Sequence, residues 1–141
     1  MGRGEGRTTC NGAGRGQHGE RKIPSGAGST ARKMGRGVKL GTKDWEYGLV
    51  SIGYPGVVIH GRPVHEPHNL DVGWVGFNFG KAFGCPTKVI NDAAMQARGS
   101  YKGARMLFLG LGAGLGSAMI VDGILEPMEL AHLPYKHGKT Y

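Results

Sequence analysis

Four clusters of residues in this 141-residue chain have the types and spacing to do chemistry. Asn91 and Asp92 stand where a short β-branched run at 88–90 gives way to the helical pattern AAMQARGSY, which places a carboxylate at the mouth of a predicted sheet. That junction reads either as a catalytic group or as a helix N-cap worth about 1 kcal/mol, and neighbouring residues can serve both ends. Further along, an uncharged run over 106–121 carries Gly110, Gly112, Gly114 and Gly116 in alternation. A turn without side chains lets backbone N–H groups converge on an anion such as phosphate. The glycines of a plain hairpin would only relieve crowding, and that reading stays open. Glu129 and His132 lie three positions apart, so on a helical turn or tight bend they point the same way. Beside an Asn-Asp pair they could grip several hydroxyls; standing alone they would be an exposed Glu and His. Finally, HGRPVHEPH gathers His60, His65, Glu66 and His68, ordinary zinc-ligand types. Its Pro-rich spacing fits neither a helix face nor a strand face, so we read a loop with exposed histidines and expect no metal site there.

The elements that must position these groups follow from periodicity. LFLGLG and GSAMIVDG read as two strands around the glycine turn, with Asp122-Gly123 as the next tight turn. A dinucleotide fingerprint is excluded because the third glycine comes one place early and a strand, not a helix, follows; the Walker pattern is absent. The same run is too short and too glycine-rich to span a membrane. LVSI at 49–52 and VVIHG at 57–61 read as strands on either side of a Pro-Gly turn. Residues 73–86 supply Trp74, Val75, Phe77, Phe79 and Phe83 to a packed loop or short helix, and Met34 and Val38 have helical spacing in a glycine-weakened helix over 30–43.

Charge divides the chain unevenly. Residues 1–43 hold ten Lys/Arg against two Asp/Glu, net +8, whereas residues 44–141 hold eight of each. Residues 1–29 are Gly/Arg-rich and nearly free of large apolar side chains, so they cannot offset their ordering entropy and are expected to be a disordered basic tail ahead of a domain at 30–141. Their Gly-Arg-Gly triplets resemble tracts that bind RNA through phosphate contacts, but no aromatic residue is interleaved to stack on bases. Nucleic acid is therefore not the expected partner. Cys10 and Cys85 sit far apart and suggest neither a disulfide framework nor a zinc site, and no apolar leader follows Met1; we expect a cytoplasmic protein without a membrane anchor.

Taken in order, VSIGYPG, HGRP, GWVGFNF, AFGCP, VINDAAMQA, GLGAGLGSAMIVDG and MELAHLPY resemble the repressor, open reading frame and kinase (ROK) family, in particular its polyphosphate glucokinase branch. The match is strong over 45–141 and weak before it. The resemblance implies a partial actin-like ATPase (ribonuclease H-like) α/β fold, the end of a first lobe plus the start of a second, with sugar in the interdomain cleft. It implies phosphoryl transfer to the 6-hydroxyl of glucose or a related hexose, from polyphosphate or ATP with Mg2+. Asp92 would be the catalytic base; Asn69, Asn91, Glu129 and His132 would hold other hydroxyls; Gly112, Ala113, Gly114 and Gly116 would form a phosphate loop. Three features depart from the family pattern. No Asp-x-Gly-Gly-Thr phosphate loop opens the chain, Ala113 stands where a Thr is usual, and the zinc-binding cysteine cluster is absent, as in the polyphosphate branch. The chain also stops at Tyr141, just past the sugar-binding His. The expectation is a truncated or degenerate kinase of impaired activity, whose exposed apolar surface would favour a homodimer. The alternative is a non-catalytic sugar-binding or regulatory member of the family.

Overall fold

The computed structural model describes residues 6–12, 19–111 and 115–134. The chain is mixed α/β and divides into two compact units, one of residues 1–51 and 59–88, the other of residues 52–58 and 89–141.

In the first unit, β1 (Gly6–Asn11) and β2 (Glu20–Ser25) form an antiparallel ladder running from Gly6 opposite Ser25 to Asn11 opposite Glu20. This revises the expectation of disorder for the described part of the first 29 residues. The physical reason is a single anchor. Ile23 packs its side chain against the helix α1 (Ala31–Gly41), where Cβ atoms on Gly37 and Gly41 would lie only 3.4 and 3.3 Å from it. Arg21 supplements this by donating to the Gly41 carbonyl (2.6 Å) and pairing with Asp44 (2.6 Å). Helix α1 begins where Thr30 Oγ1 accepts from the Lys33 N–H (3.2 Å) and buries Ala31, Met34 and Gly35. Further along come β4 (Val58–Ile59), which pairs with β5 (Arg62–Pro63), and then α2 (Phe79–Phe83). Helix α2 is capped by Asn78 and closed by Gly84, whose φ of 75° is the left-handed conformation that a helix end of this kind needs. Trp74 is buried beside Phe79 and donates its indole N–H to the Ser29 carbonyl (3.2 Å).

The strand β3 (Val50–Tyr54) pairs with β6 (Thr87–Asn91), which runs directly into α3 (Asp92–Ser100). In the second unit, β7 (Arg105–Leu111), β8 (Leu115–Val121) and β9 (Ile124–Met128) make an antiparallel meander. Asp122 and Gly123 join β8 to β9 with φ of 50° and 82°; a two-residue turn with both central residues at positive φ is the type whose twist matches the flanking strands. Alternation along β7 and β8 sends Met106, Phe108, Ala118 and Ile120 to one face. There they enclose Ala94 and Ala97 of α3, with Tyr101 and Leu125 at the margin. Alanines on the inner face of α3 let the helix lie close to the sheet. The strands predicted at 88–90, over LFLGLG and over GSAMIVDG correspond to β6, β7 and β8, the helix after Asn91 is present as α3, and no helix among the described residues is long and apolar enough to cross a membrane.

Candidate functional site

The strand-to-helix junction of β6 and α3 is fixed by the Asn91 side chain. Its Oδ1 accepts from the Ala94 N–H (3.0 Å), capping α3, while its Nδ2 donates to the Gly56 carbonyl (3.1 Å) in the turn after β3. The N-cap reading of the Asn-Asp pair thus holds for Asn91, and each polar atom of its amide keeps one further hydrogen-bonding position. Asp92, half-buried, is the first residue of α3; its Oδ1 accepts from the Ala93 N–H (2.8 Å), and Oδ2 has no partner among the described residues. A carboxylate oxygen held in place by its neighbour yet unengaged itself is suited to accept a proton.

Two glycines allow the surroundings to close on this junction. A Cβ on Gly53 of β3 would lie 3.2 Å from the Met95 Sδ and 3.3 Å from the Asp92 Cα. A Cβ on Gly116 of β8 would lie 3.0 Å from the Ala93 Cβ. Gly116, the second residue of β8, therefore rests directly on the first turn of α3, one residue from Asp92. Ser117, buried, accepts at its Oγ from the Leu130 N–H (3.1 Å), which ties a 3-10 turn over Leu130–His132 to the start of β8. Glu129 immediately precedes that turn and is exposed, and His132 ends it. The first turn of α3, the first residues of β8 and the 129–132 segment are thus gathered in one unit.

Other expected site residues stand differently. Gly112, Ala113 and Gly114 lie outside the described residues, as does the side chain of His132. Asn69 occupies an exposed turn of the first unit. Among the described residues no group of three or more His, Cys, Asp or Glu could hold a metal. Glu66, grouped by sequence with three histidines, instead accepts from the backbone N–H groups of Trp74 (2.9 Å) and Val75 (3.2 Å). The Trp74 N–H holds its carboxyl below the ordinary carboxylate value; loss of water opposes this, and the Val75 and Gly73 N–H groups reinforce it. Sequence reasoning missed the parts played by Gly53, Gly56 and Ser117. Only the glycine of VSIGYPG offered a signal, as a small residue inside a strand pattern.

No protein-family model matches the chain, and no curated protein does. Solved structures do. The inorganic polyphosphate/ATP-glucomannokinase from Arthrobacter sp. strain KM is 28% identical with a TM-score of 0.68, covering 86% of this chain and 55% of its own. A ROK family glucokinase from Streptomyces griseus, solved with glucose and AMPPNP, is 22% identical at a TM-score of 0.65, with 81% and 42% covered. A putative sugar kinase from Cytophaga hutchinsonii ATCC 33406 is 22% identical at 0.69, with 89% and 49% covered. The chain spans about half the length of these structures. Its structural neighbours are sugar kinases of actin-like fold, and the likeness to ROK kinases legible in the sequence is present in the backbone as well.

Proposed function

We propose that this chain takes part in phosphoryl transfer to the 6-hydroxyl of glucose or a closely related hexose, with polyphosphate or ATP as donor. The observation that supports the reading is the placement of Gly116 against Ala93, the residue next to Asp92 in the chain; the ROK resemblance assigns Gly116 to phosphate and Asp92 to the reacting hydroxyl. Asp92 Oδ2 would accept the proton of the sugar hydroxyl as its oxygen attacks the terminal phosphorus. The new O–P bond forms while the bond to the leaving phosphate oxygen breaks, and the proton ends on the carboxyl.

Asn91, Glu129 and His132 would hold the remaining hydroxyls. The backbone N–H groups of Gly112, Ala113, Gly114 and Gly116 would stabilise the transferred phosphoryl group, with Ala113 lacking the hydroxyl donor that a Thr would add. Magnesium would arrive with the donor and take its ligands from the donor phosphates, since the described residues form no metal-holding set; there it would supply charge neutralisation.

The decisive experiment is Asp92→Asn assayed with glucose and either donor. The rate should fall about 10²- to 10⁴-fold, the usual worth of a general base, with glucose affinity much less affected. An unchanged rate refutes the role. Glucose binding by the wild-type chain with no turnover from either donor would support the non-catalytic sugar-binding alternative instead.

A further inference from the structure

The first unit contains an open surface pocket of about 420 Å³ between α1 and α2, lined by Arg32, Arg36, Phe77, Asn78, Lys81 and Ala82. Its rim is cationic. Arg32 and Arg36 stand one turn apart on α1, and Lys81 faces the same cavity from α2. Among the described residues none of these three cations has a hydrogen-bond or ion-pair partner, and the lining includes no carboxylate. Asn78 Oδ1 accepts from the Lys81 N–H (2.8 Å), and its amide nitrogen adds a donor to the lining. The floor is apolar. Phe77 is half-buried, edge-on to Phe79 (centroids 4.9 Å apart, 77° between planes), and its Cζ lies 3.9 Å from where a Cβ on Gly35 would stand. By sequence the basic front of the chain has no aromatic residue beside its arginines; folding brings one to them from residue 77.

We propose that this cavity binds single-stranded nucleic acid, taking one base against Phe77 with the flanking phosphates on Arg32, Arg36 and Lys81. The volume falls in the range of about 300–1,000 Å³ typical of small-ligand sites, enough for a single nucleotide. A cationic rim around an aromatic ring is the combination that binds single strands without sequence preference. Three unneutralised cations so close together cost self-repulsion that an anionic ligand removes. The remaining excess charge of residues 1–43, net +6 without Arg32 and Arg36, lies in the same stretch of chain as α1 and would add non-specific attraction. This inference is independent of the phosphoryl-transfer reading and uses none of its residues.

The test is fluorescence anisotropy of labelled single-stranded RNA and DNA oligonucleotides with the full chain, over a range of salt. The variant R32Q/R36Q/K81Q should raise Kd at least tenfold and flatten the slope of log K against log salt by about 2, at about 0.7 per lost phosphate contact. Phe77→Leu, which keeps apolar bulk against Gly35, should weaken binding about 5- to 100-fold and leave the slope unchanged. A control variant, R3Q/R7Q/R15Q, should lower the slope without removing the Phe77 effect. Thermal melting checks that each variant is folded. The proposal is overturned if the triple cavity variant binds as the wild type does, if binding disappears with the control variant alone, or if Phe77→Leu is silent while inorganic tripolyphosphate displaces the oligonucleotide completely. The last result would identify a simple anion site.

Discussion

Glycine admits a neighbour in both units, but to different things. In the first unit, Gly37 and Gly41 of α1 make room for the outer carbons of the Ile23 side chain, 3.4 and 3.3 Å from a Cβ at either position. In the second, Gly116 and Gly53 make room for the Ala93 Cβ at 3.0 Å and the Asp92 Cα at 3.3 Å. An isoleucine can rotate or shift by a few tenths of an ångström, whereas an alanine Cβ or a Cα moves only with its helix. The first arrangement is tolerant packing. The second holds β8 and β3 firmly against the first turn of α3, where neither side can yield without moving the helix.

The largest effect expected from this contrast is at Gly116. Gly116→Ala should destabilise the chain by about 1–3 kcal/mol through overpacking against α3, read as a fall in thermal midpoint, and should lower any sugar-kinase activity with it. The second change Ala93→Gly should recover a large part of that loss despite the poorer helix propensity of glycine, because it removes the atom that the added methyl group would strike. Failure of this rescue in a double-mutant cycle would show that the contact is not the cause.

Gly37→Ala should behave oppositely. It gains up to about 1 kcal/mol of helix propensity in α1 and asks only a small movement of Ile23, so the midpoint should stay level or rise. A fall as large as that of Gly116→Ala would erase the distinction between the two units.

The smallest effect belongs to Glu66, whose carboxylate is exposed yet held by backbone N–H groups. Its folded pKa is lowered, so its stabilising contribution is complete above the unfolded value of about 4.3 and is lost as pH falls through the lower folded value. Glu66→Gln should therefore narrow its deficit against the wild type as the solution is acidified below about pH 4.3. Parallel melting curves across that window would remove the linkage.

Where a run of residues carried both its period and its stop signal, the fold was legible from the letters. Asn91 shows this well, since an amide after a β-branched run and before AAMQA leaves little choice but a strand, a cap and a helix, and Asn91 caps α3. Asp122-Gly123 is a second case, because few residue pairs enter a two-residue turn at positive φ. The front of the chain was illegible for the opposite reason. Ile23 is one apolar residue among many glycines and carries no pattern, yet the partner that orders it, the glycine face of α1, lies more than a dozen positions away. Proximity along the chain groups Glu66 with histidines, while its actual partners are backbone groups at Trp74 and Val75.

The sequence by itself determined the local elements around Asn91 and Asp122, the excess positive charge of the first 43 residues, and a resemblance to ROK kinases, because propensity, charge and motif are properties of contiguous residues. Only the tertiary structure decided that Gly116 rests on Ala93, that Ser117 holds the 129–132 turn, and that Phe77 lies among Arg32, Arg36 and Lys81. These are contacts between residues distant in the chain, set by which faces are buried together, and no period or motif along one segment encodes the distance to another.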